Sequence, residues 1–343
     1  KEKPAQQWQE LGHFGQRFVS LGASQKDISL LTGLPAKEPI RVFVGLNRQE
    51  PDKALLEKMV QTALDEMDRT QAFTRRYIVI QGATGRGWIE EYSSQAVEYL
   101  TQGDVATVAI QYSYLPSQFS FLLNGELATF ANSELINAVK QRLEQMPIDK
   151  RPKLLLAGES LGAYASQSLF NNYDDVINRI DGAVWVGTPR FSPLWQQLVA
   201  NRNKGSTEAL PIIHSGQHVR FMDNPASLKQ LTNDWQSPRI VFLQYATDPI
   251  VWWSSKMLWQ APDWMAEPKG RGVSHLPRWL PVLSFWELSL DMPASNQTPA
   301  GFGHIYEDDI VYAWAAVLDN SQVDPKQVAE RIEQRIAFTK ENK

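Results

Sequence analysis

The chain has 343 residues, a net charge of −4, 43% hydrophobic and 21% charged residues, and no cysteine. Such a length and balance suit one large globular domain or two ordinary ones. The lack of cysteine excludes disulfides, thiolate metal sites and cysteine nucleophiles, and without a basic excess a nucleic-acid partner is not expected.

No run approaches 18 consecutive apolar residues, so no segment present here is long enough to span a bilayer. The opening "KEKPAQQWQE" starts at Lys1 and lacks the apolar core of a signal peptide. The expectation is a processed or excised part of a longer protein. Residues 1–35 read as an N-terminal extension. From there strands and helices alternate. "PIRVFVGL" (39–46) is a β-branched strand, "DKALLEKMVQTALDEMDR" (52–69) a helix, and "RYIVIQ" (76–81) a strand. "IEEYSSQAVEYLTQ" (89–102) is a helix, "DVATVAIQY" (104–112) a strand, and "NSELINAVKQRLEQM" (132–146) a helix opened by Asn132 or Ser133 as cap. "KLLLAG" (153–158) is a continuous apolar strand that runs into the helix "LGAYASQSLFN" (161–171). "GAVWVG" (182–187) and "RIVFLQY" (239–245) are further strands, and helices at 307–319 and 325–340 close the chain.

Uniformly apolar strands separated by helices predict an α/β fold, a mostly parallel sheet covered on both faces. Residues 36–320 are taken as one domain and 321–343 as a C-terminal helix. Segments 188–236 and 250–300 are long and irregular and are expected to be lid-like excursions over the sheet's C-terminal edge.

At the end of the 153–158 strand stands Gly158-Glu159-Ser160-Leu161-Gly162. G-x-S-x-G between a buried strand and a helix is the setting of a nucleophilic serine on a tight turn, although a glycine-lined turn of an ordinary βα unit would read the same. A serine needs a base to take its proton. Five histidines are available: His13 precedes the sheet, His214 and His218 flank an apolar run, and His275 lies in a Trp-rich stretch. His304, in the glycine-flanked loop "GFGHIYEDD" before a helix, is the candidate base, because in such hydrolases the base comes last in the chain. Asp248, just past the strand 239–245, is the candidate acid, with Asp223 in "RFMDNP" as runner-up.

"IVIQGATGRGW" (78–88) invites two readings. As a dinucleotide fingerprint it fits poorly: a strand precedes it, and Asp104 stands at the start of the next strand, where an acid at the end is needed. As an oxyanion loop it fits well, since it follows the strand two before the nucleophile strand. Leu161 N–H would be one donor and Thr84 or Ala83 N–H the other. Candidate substrate contacts are Arg86, Tyr112, Tyr114, Trp252 and Trp253, with a core role favoured for the two tryptophans. Six of the twelve tryptophans fall between 252 and 286, and residues 257–265, with Trp259 and Trp264, are expected to form an apolar rim facing lipid.

The stretches "PIRVFVGL", "GRGW", "GDVATVAIQYSYLPS", "RPKLLLAGESLGA", "DGAVWVGTP", "DPIVWW", "PDWM" and "GFGHIY" resemble a bacterial α/β-hydrolase family whose catalytic domain follows N-terminal transmembrane helices. The resemblance runs from about residue 14 to 320. It implies the α/β-hydrolase fold and a triad of Ser160, Asp248 and His304. It also implies a membrane-tethered enzyme, with the domain on the periplasmic side. The family often carries a proline where this chain has "GAT", which leaves the second oxyanion donor open. The expected activity is that of a serine esterase without metal or organic cofactor. Its substrate would be an ester such as aminoacyl-phosphatidylglycerol; an acyltransferase and a non-catalytic binding module are the rivals.

Overall fold

The computed structural model describes residues 3–114, 117–273, 278–320 and 322–341. Two helices lead in, α1 (Gly12–Ser20) and α2 (Gln25–Thr32). The strands are β1 (Ile40–Val44), β2 (Tyr77–Gly82), β3 (Val105–Ile110), β4 (Lys153–Glu159), β5 (Gly182–Val186), β6 (Val219–Met222) and β7 (Arg239–Leu243). Between and after them run α3 (Lys53–Arg69), α4 (Glu91–Leu100), α5 (Ser117–Glu144), α6 (Leu161–Gln167), α7 (Tyr173–Arg179) and α8 (Pro193–Ala200). Past β7 come α9 (Pro249–Trp252), α10 (Asp263–Ala266), α11 (Leu283–Asp291), α12 (Asp308–Leu318) and α13 (Pro325–Glu341).

The seven strands form one parallel sheet in the order β1-β3-β2-β4-β5-β7-β6. Period-two alternation sends side chains to both faces, and both are buried. Ile78, Ile80, Leu154, Leu156, Ala183 and Trp185 pack beneath α3, α5 and α6. Val79, Leu155, Ala157, Val184 and Val186 pack beneath α4, α12 and α13. Trp314 on α12 is fully buried there and donates Nε1–H to Ser93 Oγ at 3.0 Å, so truncating it to Ala would cost about 3–5 kcal/mol.

From β2 the chain crosses to β3 on one side, and from β4 to β5 on the other. The crevice between the C-terminal ends of β2 and β4 is therefore a topological switch point, where ligands of open α/β sheets bind. Both the GATGRG loop and the G-x-S-x-G turn end there.

Three expectations need correction. The segment 188–236 is not simply a lid: it contains α8 and the edge strand β6, with Val219 and Phe221 buried against Ile240 and Phe242 of β7. The helix expected from 132 begins at Ser117, and Asn132 is no cap; it is buried in mid-helix and donates Nδ2–H to Ala128 O at 3.0 Å. The helix expected over 161–171 stops at Gln167.

The first 35 residues are packed. Phe18 and Ile28 are fully buried. Arg41 bonds Phe18 O at 2.6 Å and pairs with Glu98 at 2.6 Å and Glu91 at 3.3 Å. Glu98 in turn accepts from Ala23 N–H at 2.8 Å. Asp27 on α2 bonds Tyr99 of α4 and pairs with Arg331 and Arg335 of α13.

Candidate active site

Ser160 forms the turn from β4 into α6 at φ 55°, ψ −123°. A residue with a Cβ is strained at such a left-handed φ and stays there only when its surroundings impose it. Here Ser160 N–H is held by Val186 O at 2.9 Å, and Ser160 O accepts the first helical bond from Tyr164 N–H at 3.0 Å. The glycines make room for the turn: a methyl group on Gly82 would overlap the Gly162 carbonyl, and one on Gly162 would overlap the Gly82 carbonyl. That contact joins the two glycine motifs into one structure.

Asp248 is fully buried in the loop after β7. It caps α9 through Ile250 N–H at 2.9 Å and accepts two further bonds, from His304 Nδ1 at 2.6 Å and from Tyr306 Oη at 2.7 Å. The histidine loop is pinned from both sides, by His304 N–H to Ser295 O at 2.9 Å and by Gly303 N–H to Thr247 Oγ1 at 3.0 Å. Because the carboxylate only accepts, the proton sits on Nδ1, and Nε2 is the nitrogen left to accept one. Nε2 lies 3.6 Å from Glu159 Oε1 and is not hydrogen-bonded to Ser160 Oγ. Catalytic bonds of this kind commonly close only in the substrate complex. Burial acts to lower the imidazole's pKa. The charge and hydrogen bond of Asp248, with Glu159 and Glu90 behind them, outweigh it and hold His304 up at about 9.

In the GATGRG loop, Thr84 N–H is already donated to Trp88 O at 3.0 Å, and Gly87 N–H to Thr84 O at 2.7 Å. This removes Thr84 as a backbone donor in the observed conformation. The amides of Ala83 and Leu161, at the end of β2 and the start of α6, are not engaged in this way among the described residues. The dinucleotide reading finds nothing here: Asp104 sits at the opposite edge of the sheet, held by Lys37 Nζ at 2.9 Å and Arg76 N–H at 3.1 Å.

Of the candidate substrate contacts, two are core residues. Tyr112 and Trp252 are almost wholly buried, and Trp252 gives its Nε1–H to Tyr245 O at 3.0 Å. Trp253 is half-buried and anchors α11 through Ser289 Oγ at 2.8 Å. Arg86 and Tyr114 are exposed and line a cleft with Arg48, Gln111 and His13. Asp223 bonds Asn224 Nδ2 at 2.8 Å and has no link to His304. His214 stacks on Tyr173, His218 faces the carbonyls of Gln236 and Pro238, and His275 lies outside the described residues. Trp264 is buried against Trp252, so the expected rim at 257–265 keeps only Trp259.

Sequence reasoning missed three polar residues at the site. Tyr306, two positions after His304, bonds the acid. Glu159, inside the serine motif, is buried, and burial together with the charge of Glu90 pushes its carboxyl above the usual range. Glu90, the cap of α4, is raised for the same first reason, with Glu91 and Glu307 adding to it. An acid at the end of an otherwise apolar strand was the available signal for Glu159.

Among the described residues no cluster of three or more His, Asp and Glu is arranged to hold a metal ion, and no helix is long and apolar enough to cross a membrane. The sequence profile of a family described as "Alpha/beta-hydrolase family" matches residues 40–331. No curated protein and no solved structure matches the chain.

Proposed function

Because this chain belongs to the α/β-hydrolase family, whose members are usually hydrolytic, we propose that it is a serine hydrolase that cleaves a carboxylic ester through an acyl-enzyme on Ser160. The observation that carries the reading is the strained Ser160 turn set beside a buried Asp248–His304 pair joined at 2.6 Å. Ser160 Oγ attacks the ester carbon and its proton passes to His304 Nε2. The amides of Leu161 and Ala83 receive the developing oxyanion. As the tetrahedral intermediate collapses, the alcohol leaves with the proton from Nε2. Water then attacks the acyl-enzyme by the same route and releases the acid and free Ser160. Asp248 keeps the imidazole in the Nδ1–H tautomer and stabilises the cation that forms, and Tyr306 holds Asp248 in place. No step asks for a metal or organic cofactor.

A fluorophosphonate probe tests this reading directly. It should label Ser160, identified by mass spectrometry of the modified peptide, and should leave Ser160→Ala unlabelled. A labelled protein that turns over no ester alone, and does so once an acceptor alcohol is added, is an acyltransferase with the same triad. An unlabelled, folded protein is a binding module.

A lipid ester such as aminoacyl-phosphatidylglycerol, met at a membrane surface, is the substrate we favour. Its support is an exposed apolar face around α11: Trp259, Leu280, Val282, Leu283, Trp286 and Leu290 all stand at least half open to solvent or nearly so. Contiguous exposed apolar surface on a folded protein marks an interaction face, and tryptophan suits the boundary between lipid and water.

A further inference from the structure

Water and an acceptor alcohol compete for the same acyl-enzyme, and which one ends it separates a hydrolase from an acyltransferase with the same triad. The triad alone does not choose. Beside it, Gly82, Thr84, Glu90, Ser93, Glu159 and Val186 line a cavity about the size of a single water molecule. That space lies between the Ser160 turn, which Glu159 enters, and the oxyanion loop, which Gly82 and Thr84 enter. Several of its polar groups are already engaged. Ser93 Oγ accepts from Gln81 Nε2–H at 3.2 Å and from Trp314 Nε1–H at 3.0 Å, and Glu90 caps α4 through Tyr92 N–H at 3.0 Å. Glu159 differs. It is buried to all but 9% of its surface, and its carboxyl takes no hydrogen bond from the described residues. Its Oε1 stands 3.6 Å from His304 Nε2, too far for a direct hydrogen bond and within reach of a water shared by the two.

We propose that Glu159 positions the deacylating water, and that the cavity beside it, with room for water but not for an alcohol, commits the acyl-enzyme to hydrolysis. Once the first alcohol has left with its proton, Nε2 is free to accept another. A water held by Glu159 gives one O–H to Nε2 while its oxygen bonds the acyl carbon. The carbon–Oγ bond then breaks, Oγ takes the proton from Nε2, and the acid leaves. Glu159 neither gains nor loses a proton in the cycle; it holds and aims the water. A neutral carboxyl suits that task, because it offers a donor and an acceptor to a molecule that has both. Burial and the charge of Glu90 raise the Glu159 carboxyl to about 8, so at neutral pH it carries its proton. Size supplies the selection, since the carbon of even the smallest alcohol exceeds the space that a water fills.

The inference rests on the serine-esterase reading, and one experiment separates the two. 4-Nitrophenyl acetate is turned over in dilute methanol, and acetate and methyl acetate are both measured. Because water and methanol compete for one acyl-enzyme, general damage to the site slows both routes and leaves the product ratio where it was. Wild type should release chiefly acetate. Glu159→Leu, which removes both carboxyl oxygens, should raise methyl acetate relative to acetate by about fivefold or more, roughly the worth of one hydrogen bond. Glu159→Gln, whose amide also gives and accepts, should keep a ratio near that of wild type. If Glu159→Leu does not fold, Val186→Ile, which adds a methyl group at the cavity wall and removes no polar group, should shift the ratio in the same direction. A ratio unchanged in both Glu159→Leu and Val186→Ile overturns the proposal and leaves a structural water only. A shift in Glu159→Gln as large as in Glu159→Leu, or a wild type that makes chiefly methyl acetate, overturns it as well. No turnover at all, or equal rates in Ser160→Ala, sinks the esterase reading itself.

Discussion

Two buried carboxyls flank the same imidazole, and they are built in opposite ways. Asp248, on the Nδ1 side, accepts three hydrogen bonds of 2.6–2.9 Å from His304, Tyr306 and Ile250. Glu159, on the Nε2 side, accepts none from the described residues and is ringed by other acids. Equal depth therefore does not mean equal chemistry: the first environment holds a charge in place, and the second opposes one. One side of the ring is finished by a hydrogen bond, and the other has only a carboxyl 3.6 Å away.

The sharpest break in that comparison is removal of the ring's working partners. Ser160→Ala and His304→Ala should each lower kcat on an activated ester by ~10³-fold or more. On the finished side, Asp248→Asn should cost ~10²-fold to 10⁴-fold by upsetting the tautomer, while Asp223→Asn, which has no link to the ring, should remain near wild type. The reverse result would exchange their roles. Tyr306→Phe removes one of the three donors to Asp248 and should cost about tenfold in kcat, roughly the worth of one hydrogen bond to a charged group.

The ring itself gives a pH signature. His304 must be neutral to act as base, and its pKa is held up at about 9. For an uncharged ester kcat/KM should climb as pH rises and level off only in the alkaline range; a plateau beginning near pH 6.5 would show that Asp248 and Glu159 do not act on it together.

The tryptophan face offers a contrast of a gentler kind. Trp286→Ser with Leu290→Ser should reduce, by about fivefold, the preference for an ester presented in vesicles over a monomeric one. Trp264→Ala should instead lower activity on both alike, through lost core packing.

The smallest expected effect is in stability. Glu159's pKa is raised in the folded protein, so the folded state holds its proton more tightly than the unfolded chain does. That contribution is fully present below the ordinary carboxylate value of 4.5 and is lost as pH rises through the higher folded value. Glu159→Gln, which cannot ionise, should melt about 2–4 °C above wild type at pH 9 and show no such gain at pH 4. A gain of equal size at both pH values would mean the amide merely packs better.

The sequence carried the fold well where physics is local. Uniformly apolar strands announced a parallel sheet buried on both faces, and glycine spacing located the turn after β4. It failed where partners are distant. β6 was hidden because "VRFM" is short and sits among turn residues, and its place at the sheet edge is set by pairing with β7, the next strand in the chain. Tyr112 and Trp252 were offered to substrate because aromatic residues past strand ends face either way, and only burial decides. Ser160, Asp248 and His304 were nameable because their order and loop positions follow from the chain alone. Nothing in one dimension shows that Glu159, Glu90 and Glu307 converge, since each belongs to a different element. Likewise, that Thr84 N–H is already engaged by Trp88 depends on how the loop closes on itself.

The clasp of Asp27 on Tyr99, Arg331 and Arg335 ties the second helix of the chain to its last. Chain ends ordinarily fray independently and exchange their amide hydrogens first. Here neither helix can peel away without stripping the other of its counter-charge. The α2 and α13 amides should therefore exchange as a single cooperative unit, with matched opening rates that fall out of step once Asp27 is replaced by Asn. Between these two helices the chain is a ring in its mechanics though a line in its covalent structure, and force that pulls on α2 would be resisted through α13 as well.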